Sequence, residues 1–99
     1  MTITTDKNGN ALTLALEGRL DTTTAPELDE VMKTSLEGIT DLTIDLENLE
    51  YLSSAGLRVL LSAQKTMNKQ GTMVVRNANE TIMEIFEVTG FVDILNIEK

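Results

Sequence analysis

The sequence predicts an α/β fold: a mixed, mainly parallel sheet with helices packed mostly on one face, in the order ββαβαβαβ. After two strand-like segments, helix-like and strand-like segments alternate, and crossovers of this kind join parallel strands. In residues 12–16 and 42–46, leucine or isoleucine alternates with threonine, alanine or aspartate. Strands covered on both faces are continuously apolar, so this alternation predicts one covered face and one partly wet face.

The chain opens with a predicted hairpin. Residues 1–10 are polar, and Asn8-Gly9-Asn10 is typical of a tight turn between antiparallel strands. We expect the first strand to lie at the edge of the sheet. The second strand is predicted within residues 11–19 and is expected to end at Gly18.

The first helix is predicted to begin after Thr24. Pro26 suits the first helical turn, and Glu27 stands where it would complete a capping box with a threonine N-cap. Apolar residues then follow helical spacing as far as Gly38, which is a natural stop.

A pair of serines separates the next strand from the next helix. The strand-like run of residues 42–46 leads to Ser53 and Ser54, and helical spacing then continues without proline to Gly71. A serine oxygen can accept a hydrogen bond from an otherwise unpaired N–H in the first helical turn, so either serine is a suitable N-cap. The predicted helix spans residues 53–68.

The remaining elements complete the alternation. A strand is predicted over residues 73–76, and Asn77 or Asn79 can cap the following helix, which ends at Gly90. Residues 91–97 are predicted to form a short closing strand. No internal repeat or linker interrupts the 99 residues, so residues 1–99 are expected to form one domain.

Composition argues against several functional classes. The chain has no cysteine and no histidine, which removes thiolate metal sites and a serine activated by histidine, so neither catalysis nor a cofactor is expected. Sixteen Asp and Glu against eight Lys and Arg give a net charge of -8, which disfavours nucleic acid and anionic membranes as partners. Solubility alone also explains this acidity. No apolar run is long enough to span a membrane, and a cytoplasmic protein is expected.

Several segments carry a family resemblance. Ser53-Ser54-Ala55-Gly56-Leu57 resembles the signature of the STAS domain family, specifically of its small anti-sigma factor antagonists. Gly18-Arg19-Leu20-Asp21, residues 41–46 and Val88-Thr89-Gly90-Phe91 resemble further family landmarks in the expected order. The resemblance covers essentially the whole chain and implies a STAS-like version of the predicted fold.

The resemblance also implies which residues form the functional site. The family's phosphorylated serine falls on Ser54, and Ser53, at a position that is often aspartate in the family, is the alternative phosphorylation site. Asp21 matches an aspartate that lies beside this serine and takes part in partner recognition, whereas the residues alone favour solvation or capping for it. The other expected partner-binding positions are Ser53, Ser54, Gly56, Leu57 and Arg58. For Leu57 a core position, and for Arg58 a solvated charge, are the structural alternatives.

The physical chemistry of this position suits a switch. A phosphate on Ser54 would meet free N–H groups and the positive end of the helix dipole, so phosphorylation need not unfold the domain. It would add a charge of about -1.5 to -2, which is costly inside an interface that lacks cations. We therefore expect phosphorylation to switch binding off locally.

The resemblance implies an interaction switch. Unphosphorylated, such a protein binds an anti-sigma factor with a serine kinase fold and frees the sigma factor, and a PP2C-type phosphatase resets it; the free protein is expected to be a monomer. One alternative is a STAS adaptor outside sigma control, in a phosphatase response module or a lipid-transport complex. The other is a small enzyme or ligand-binding domain that uses the helix N-terminus as an anion site.

Overall fold

A computed structural model describes residues 1–98, which contain a five-stranded sheet in the order β1-β2-β3-β4-β5. β1 and β2 are antiparallel, and every other neighbouring pair is parallel. The predicted mixed, mainly parallel sheet is confirmed, and β1 lies at an edge as expected. The strands are β1 (Thr2–Asn8), β2 (Ala11–Leu20), β3 (Asp41–Leu52), β4 (Thr72–Arg76) and β5 (Ile97–Glu98).

Three helices connect the parallel strands of the described chain in succession. They are α1 (Ala25–Ser35), α2 (Ser54–Asn68) and α3 (Glu80–Thr89). Since the strand order in the sheet follows the chain order, right-handed crossovers place all of them on the same face. The predicted one-sided arrangement is therefore what the structure shows.

The core lies between this sheet face and the helices. Leu14, Ile44 and Val75 from three adjacent strands are fully buried, as are Leu60 of α2 and Phe86 of α3. Burying one such side chain completely stabilises the fold by about 1.5–3 kcal/mol relative to leaving it exposed. The opposite face carries half-buried side chains, among them Thr13, Ala15, Thr43 and Asp45.

β2 does not end at Gly18 as the sequence predicted. The strand continues to Leu20, and its pairing with β3 shifts register between Ala15 and Glu17 and again between Gly18 and Arg19. Gly18 has φ +103°, a conformation that glycine adopts without steric cost. The glycine therefore accommodates an irregularity within the strand instead of terminating it.

The predicted capping box of α1 is also wrong. Thr24 is the N-cap residue, but its side chain makes no cap hydrogen bond, so it does not pair with Glu27 as a capping box requires. Its hydroxyl instead donates to the Arg19 carbonyl oxygen at 2.8 Å. The helix ends at Ser35, earlier than the predicted stop at Gly38, which follows in a turn.

The closing strand is much shorter than predicted. Residues 91–93 form a 3₁₀ helix, and only Ile97–Glu98 pairs with β4. The Leu95 N–H donates to the Phe91 carbonyl oxygen at 2.8 Å, and Leu95 is buried. Phe91, Ile94 and Leu95 have helical spacing, so a helical turn rather than an extended strand buries Leu95.

Candidate functional site

The candidate site lies where β2 and β3 end. Leu20 pairs with Leu52 in the parallel register, and the Ser53 N–H donates to the Leu20 carbonyl oxygen at 2.9 Å. Asp21 directly follows Leu20, and Ser54 directly follows Ser53. The fold therefore brings the expected aspartate loop and the expected serine pair to the same edge of the sheet.

The two serines occupy different positions at the start of α2. Ser53 is the N-cap, in an extended conformation with φ -94° and ψ 173°, and its oxygen accepts from the Gly56 N–H at 3.4 Å. Ser54 is the first residue of the helix and is exposed, whereas Ser53 is half-buried. The structure thus places the capping role on Ser53 and leaves the Ser54 hydroxyl facing solvent.

The first turn of α2 contains no acidic side chain. The first N–H groups of a helix lack partners within the helix, and they carry the positive end of its dipole. Ser53 accepts from one of them, the N–H of Gly56. A negative group on Ser54 would therefore stand beside a positive potential that no carboxylate of that turn offsets.

The other expected partner-binding residues of α2 differ in exposure. Gly56 is buried, and a β-carbon there would lie 2.6 Å from Leu20 Cγ and 2.8 Å from Leu52 Cδ1. Leu57 is only 5% exposed, which agrees with its core alternative, and Arg58 is exposed. The missing side chain of Gly56 lets the start of α2 pack closely on the ends of β2 and β3.

Asp21 organises the loop before α1. Its Oδ1 accepts from the Thr23 N–H at 3.0 Å and from the Thr24 N–H at 3.2 Å. The pKa of Asp21 is lowered, mainly by the hydrogen bond from the Thr24 N–H. Loss of hydration raises this pKa, whereas the Thr23 N–H, the Thr24 hydroxyl and the charge of Arg19 lower it further. The carboxylate is therefore held in its ionised form and in one orientation, next to the serine pair.

Sequence reasoning missed a contact between Arg19 and Tyr51. The Arg19 guanidinium carbon lies 4.4 Å from the centroid of the Tyr51 ring, and its Nε is 3.8 Å from Asp21 Oδ2. The strand register places Arg19 opposite Tyr51. Arg19 belongs to a segment that carries the family resemblance, and Tyr51 lies two residues before Ser53, but the register shift between Gly18 and Arg19 decides that they meet. Arg19 thus links the Asp21 loop to the strand that leads into the serines.

A groove of about 340 Å³ lies between the first turns of α1 and α2. Ala55 and Arg58 line it from α2, next to Ser54 in the chain. It is a concave surface of mixed character beside the exposed hydroxyl. Its other lining residues are Thr22, Ala25, Pro26, Asp29 and Val59.

Within residues 1–98, no cluster of three or more carboxylates has the arrangement needed to hold a metal ion. In the same range, every helix is too short or too polar to cross a membrane.

Comparison with known families identifies the chain. Residues 3–96 match the family model described as "Mlab, STAS domain". This chain belongs to the STAS domain family. The family and the fold that the sequence segments predicted are thereby confirmed.

Curated and solved relatives agree with this assignment. The STAS chain is 33% identical over 92 residues to the anti-sigma-B factor antagonist of Bacillus subtilis, a match that covers 92% of this chain and 84% of that protein. An anti-sigma factor antagonist from Mycobacterium paratuberculosis superimposes with a TM-score of 0.88 at 22% identity, covering 97% of this chain and 83% of that one. The phosphorylated form of the Bacillus cell fate determinant SpoIIAA superimposes with a TM-score of 0.77 at 16% identity, covering 99% and 92%. These two structural matches show the shared fold.

Proposed function

We propose that this STAS protein is an anti-sigma factor antagonist switched by phosphorylation of Ser54. Unphosphorylated, it binds an anti-sigma factor that has a serine kinase fold, and this binding frees the sigma factor. The observation that carries the proposal is the exposed Ser54 hydroxyl at the first position of α2, beside the Asp21 loop, while Ser53 does the capping. The name and 33% identity of the Bacillus subtilis relative support it.

Ser54 is a better phosphate acceptor than Ser53 in this geometry. A kinase needs to reach the hydroxyl, and Ser54 is exposed whereas Ser53 is half-buried. Modification of Ser53 would also replace the oxygen that accepts from the Gly56 N–H. A phosphate on Ser54 instead lies near the unpaired N–H groups at the start of α2 and leaves the Ser53 cap in place.

The same phosphate would repel a partner without disturbing the fold. It adds about -1.5 to -2 charge at a surface where Asp21 is already held ionised. A partner surface that is complementary to a neutral hydroxyl would have to bury this charge without a cation, which is strongly unfavourable. Phosphorylation therefore turns binding off, and dephosphorylation by a PP2C-type phosphatase restores it.

In this proposal the partner contacts the exposed residues directly. Ser54, Arg58 and the Asp21 loop form the contact surface around the α1–α2 groove. Gly56 and Leu57 do not contact the partner in this proposal, because they are buried. They contribute by fixing the position of the first turn of α2. The protein is taken to be one STAS domain over residues 1–99, monomeric when free, and to act in the cytoplasm.

Affinity purification from the native cell with mass spectrometry tests the function. Wild-type protein, Ser54→Ala and Ser54→Asp are compared, with Ser53→Ala as the neighbouring control. We expect an anti-sigma factor kinase with wild type and with Ser54→Ala, its loss with Ser54→Asp, and phosphate on Ser54 of the wild type. Equal recovery of the kinase with Ser54→Asp would reject the charge switch.

A second candidate is a STAS adaptor outside sigma control. The matching family model carries the name Mlab and makes no reference to sigma factors. Copurification with membrane ATPase components or with a phosphatase response module, in place of an anti-sigma factor, would favour this candidate.

A further inference from the structure

A second groove lies on α3, away from the serine pair. It has a volume of about 390 Å³ and is lined by Thr81, Glu84, Ile85, Val88 and Thr89. Val88 is 80% exposed, and Ile85, one turn earlier, is half-buried. Two more apolar side chains soon after α3 are also exposed, Val92 at 37% and Ile94 at 47%. We call the concave surface lined by residues 81, 84, 85, 88 and 89 the α3 groove.

The charged residues in the segment that carries this groove are all acidic. Between positions 77 and 98 the sequence contains no lysine, arginine or histidine. Glu84 lines the groove, and the nearest preceding cation, Arg76, lies 3.7 Å from Glu98 in an ion pair. The α3 groove is thus apolar at Ile85 and Val88, has the carboxylate of Glu84 in its lining, and belongs to a segment without a cation between positions 77 and 98. The acidic residues of the segment are Glu80, Glu84, Glu87, Asp93 and Glu98.

The acidic character of this segment favours a cationic partner over a second copy of the chain or an anionic lipid surface. A second copy of the chain would bring two acidic α3 surfaces together, and an anionic lipid surface would meet the same repulsion. A helix with apolar side chains every three or four residues and with Lys or Arg at its flanks fits both features, because its apolar face covers Val88 while its cations meet Glu84. We propose that the α3 groove docks a basic amphipathic helix of a partner protein.

This docking surface is separate from the phosphorylation switch. The groove belongs to α3, whereas Ser54 begins α2, next to Ala55, which lines the separate groove between α1 and α2. The start of α3 is held to β3, because the Asn79 side-chain amide donates to the Leu49 carbonyl oxygen at 3.1 Å. Val88 lies about 12 Å further along the helix axis than Glu80, at 1.5 Å per residue. The two grooves share no lining residue, so we expect binding at the α3 groove to be independent of the charge on Ser54.

The test uses a synthetic helical peptide of leucine and lysine with one apolar face, labelled for fluorescence anisotropy. Binding to the full chain is measured, and amide chemical shifts locate the bound peptide. We expect shifts centred on residues 81–89 and weaker binding at higher salt. A peptide of the same composition, scrambled so that no apolar face forms, is expected to bind at least about tenfold more weakly.

Matched variants separate the groove from the general acidity of the protein. Val88→Ser should weaken binding about tenfold, since it removes one apolar contact. Glu84→Lys should weaken it about fivefold, whereas the same charge reversal at the exposed Glu30 of α1 should change it by less than about twofold. Ser54→Asp should leave binding unchanged, which keeps this test independent of the proposed function.

Several outcomes would overturn the proposal. Equal losses for Glu84→Lys and Glu30→Lys would mean that only net charge attracts the peptide. Wild-type affinity in Val88→Ser, or shifts centred on α1 and α2, would place the binding elsewhere. A dimer in sedimentation velocity that Val88→Ser dissociates would assign the groove to a second copy of the chain.

A cross-linking experiment in the native cell extends the test to natural partners. A photoreactive amino acid is placed at position 88, and the cross-linked peptide is sequenced by mass spectrometry. The proposal requires a captured segment that is net basic and has apolar residues at helical spacing. Capture of this chain itself, or of a net acidic segment, would contradict it.

Discussion

The Ser53 oxygen accepts a hydrogen bond from the Gly56 N–H at 3.4 Å, and this contact gives the two neighbouring serines different tasks. Ser53 caps the N-terminus of α2, whereas Ser54 is exposed and takes no part in the cap. A hydroxyl that stabilises the helix and a hydroxyl that is free to be modified therefore stand side by side.

Removing each hydroxyl should have a different effect on stability. Ser53→Ala should lower the free energy of unfolding by about 1 kcal/mol, because it removes an N-cap. Ser54→Ala should change it by less than about 0.5 kcal/mol, since alanine is a good helix former and the position is exposed. Urea denaturation followed by circular dichroism measures both. A larger loss for Ser54→Ala than for Ser53→Ala would show that the assignment of the cap is wrong.

The Asp21 loop should weaken in acid. The pKa of Asp21 is lowered in the folded protein, chiefly by the Thr24 N–H, so its stabilising effect is full above the unfolded pKa and is lost as the pH falls through the folded value. We expect the stability difference between wild type and Asp21→Ala to be constant near neutral pH and to shrink in acid. Denaturation across this range measures it.

Asp21→Asn is the matched control for the charge. An asparagine oxygen can still accept from the Thr23 and Thr24 N–H groups, so most of the loop geometry should remain. Its stability difference from Asp21→Ala should not depend on pH in the acid range. A wild-type pH profile that matches that of Asp21→Asn would mean that the Asp21 carboxylate contributes nothing through its charge.

Two glycines should respond differently to alanine substitution. At Gly71 the new β-carbon would overlap the Thr40 carbonyl oxygen and lie 2.8 Å from Thr40 Cα, and backbone atoms cannot move aside easily. At Gly56 it would meet the side chains of Leu20 and Leu52, which can adjust, and the helix gains about 1 kcal/mol of propensity. Gly71→Ala should therefore cost about 3 kcal/mol and Gly56→Ala clearly less. Thermal and urea denaturation rank the two, and the reverse order would contradict the packing described for Thr40.

Arg19 and Tyr51 should show a measurable coupling. A cation over an exposed aromatic ring contributes about 0.5–1 kcal/mol. A double-mutant cycle with Arg19→Gln and Tyr51→Ala should give a coupling energy in this range, and Tyr51→Phe, which keeps the ring, should retain most of it. Additive effects of Arg19→Gln and Tyr51→Ala would show that the stacked geometry does not stabilise the domain.

Periodicity alone predicted most of the secondary structure. The alternation in residues 12–16 and 42–46 and the helical spacing after Thr24, Ser53 and Asn79 are properties of the local sequence, and the structure reproduces them. The errors fall where local signals compete. Gly18 was predicted to end a strand but accommodates an irregular register, and residues 91–95, which were predicted to be extended, form a helical turn.

The sequence by itself determined the order of elements, the covered face of the sheet and the position of the serine pair between a strand and a helix. Only the tertiary structure decided which serine caps α2, because that depends on where the backbone leaves the sheet, at the hydrogen bond from the Ser53 N–H to Leu20. It also decided that Arg19 meets Tyr51, since the register of β2 on β3 results from contacts between distant segments. Local patterns specify which face of a segment is apolar, whereas the pairing of particular side chains follows from packing of the whole chain.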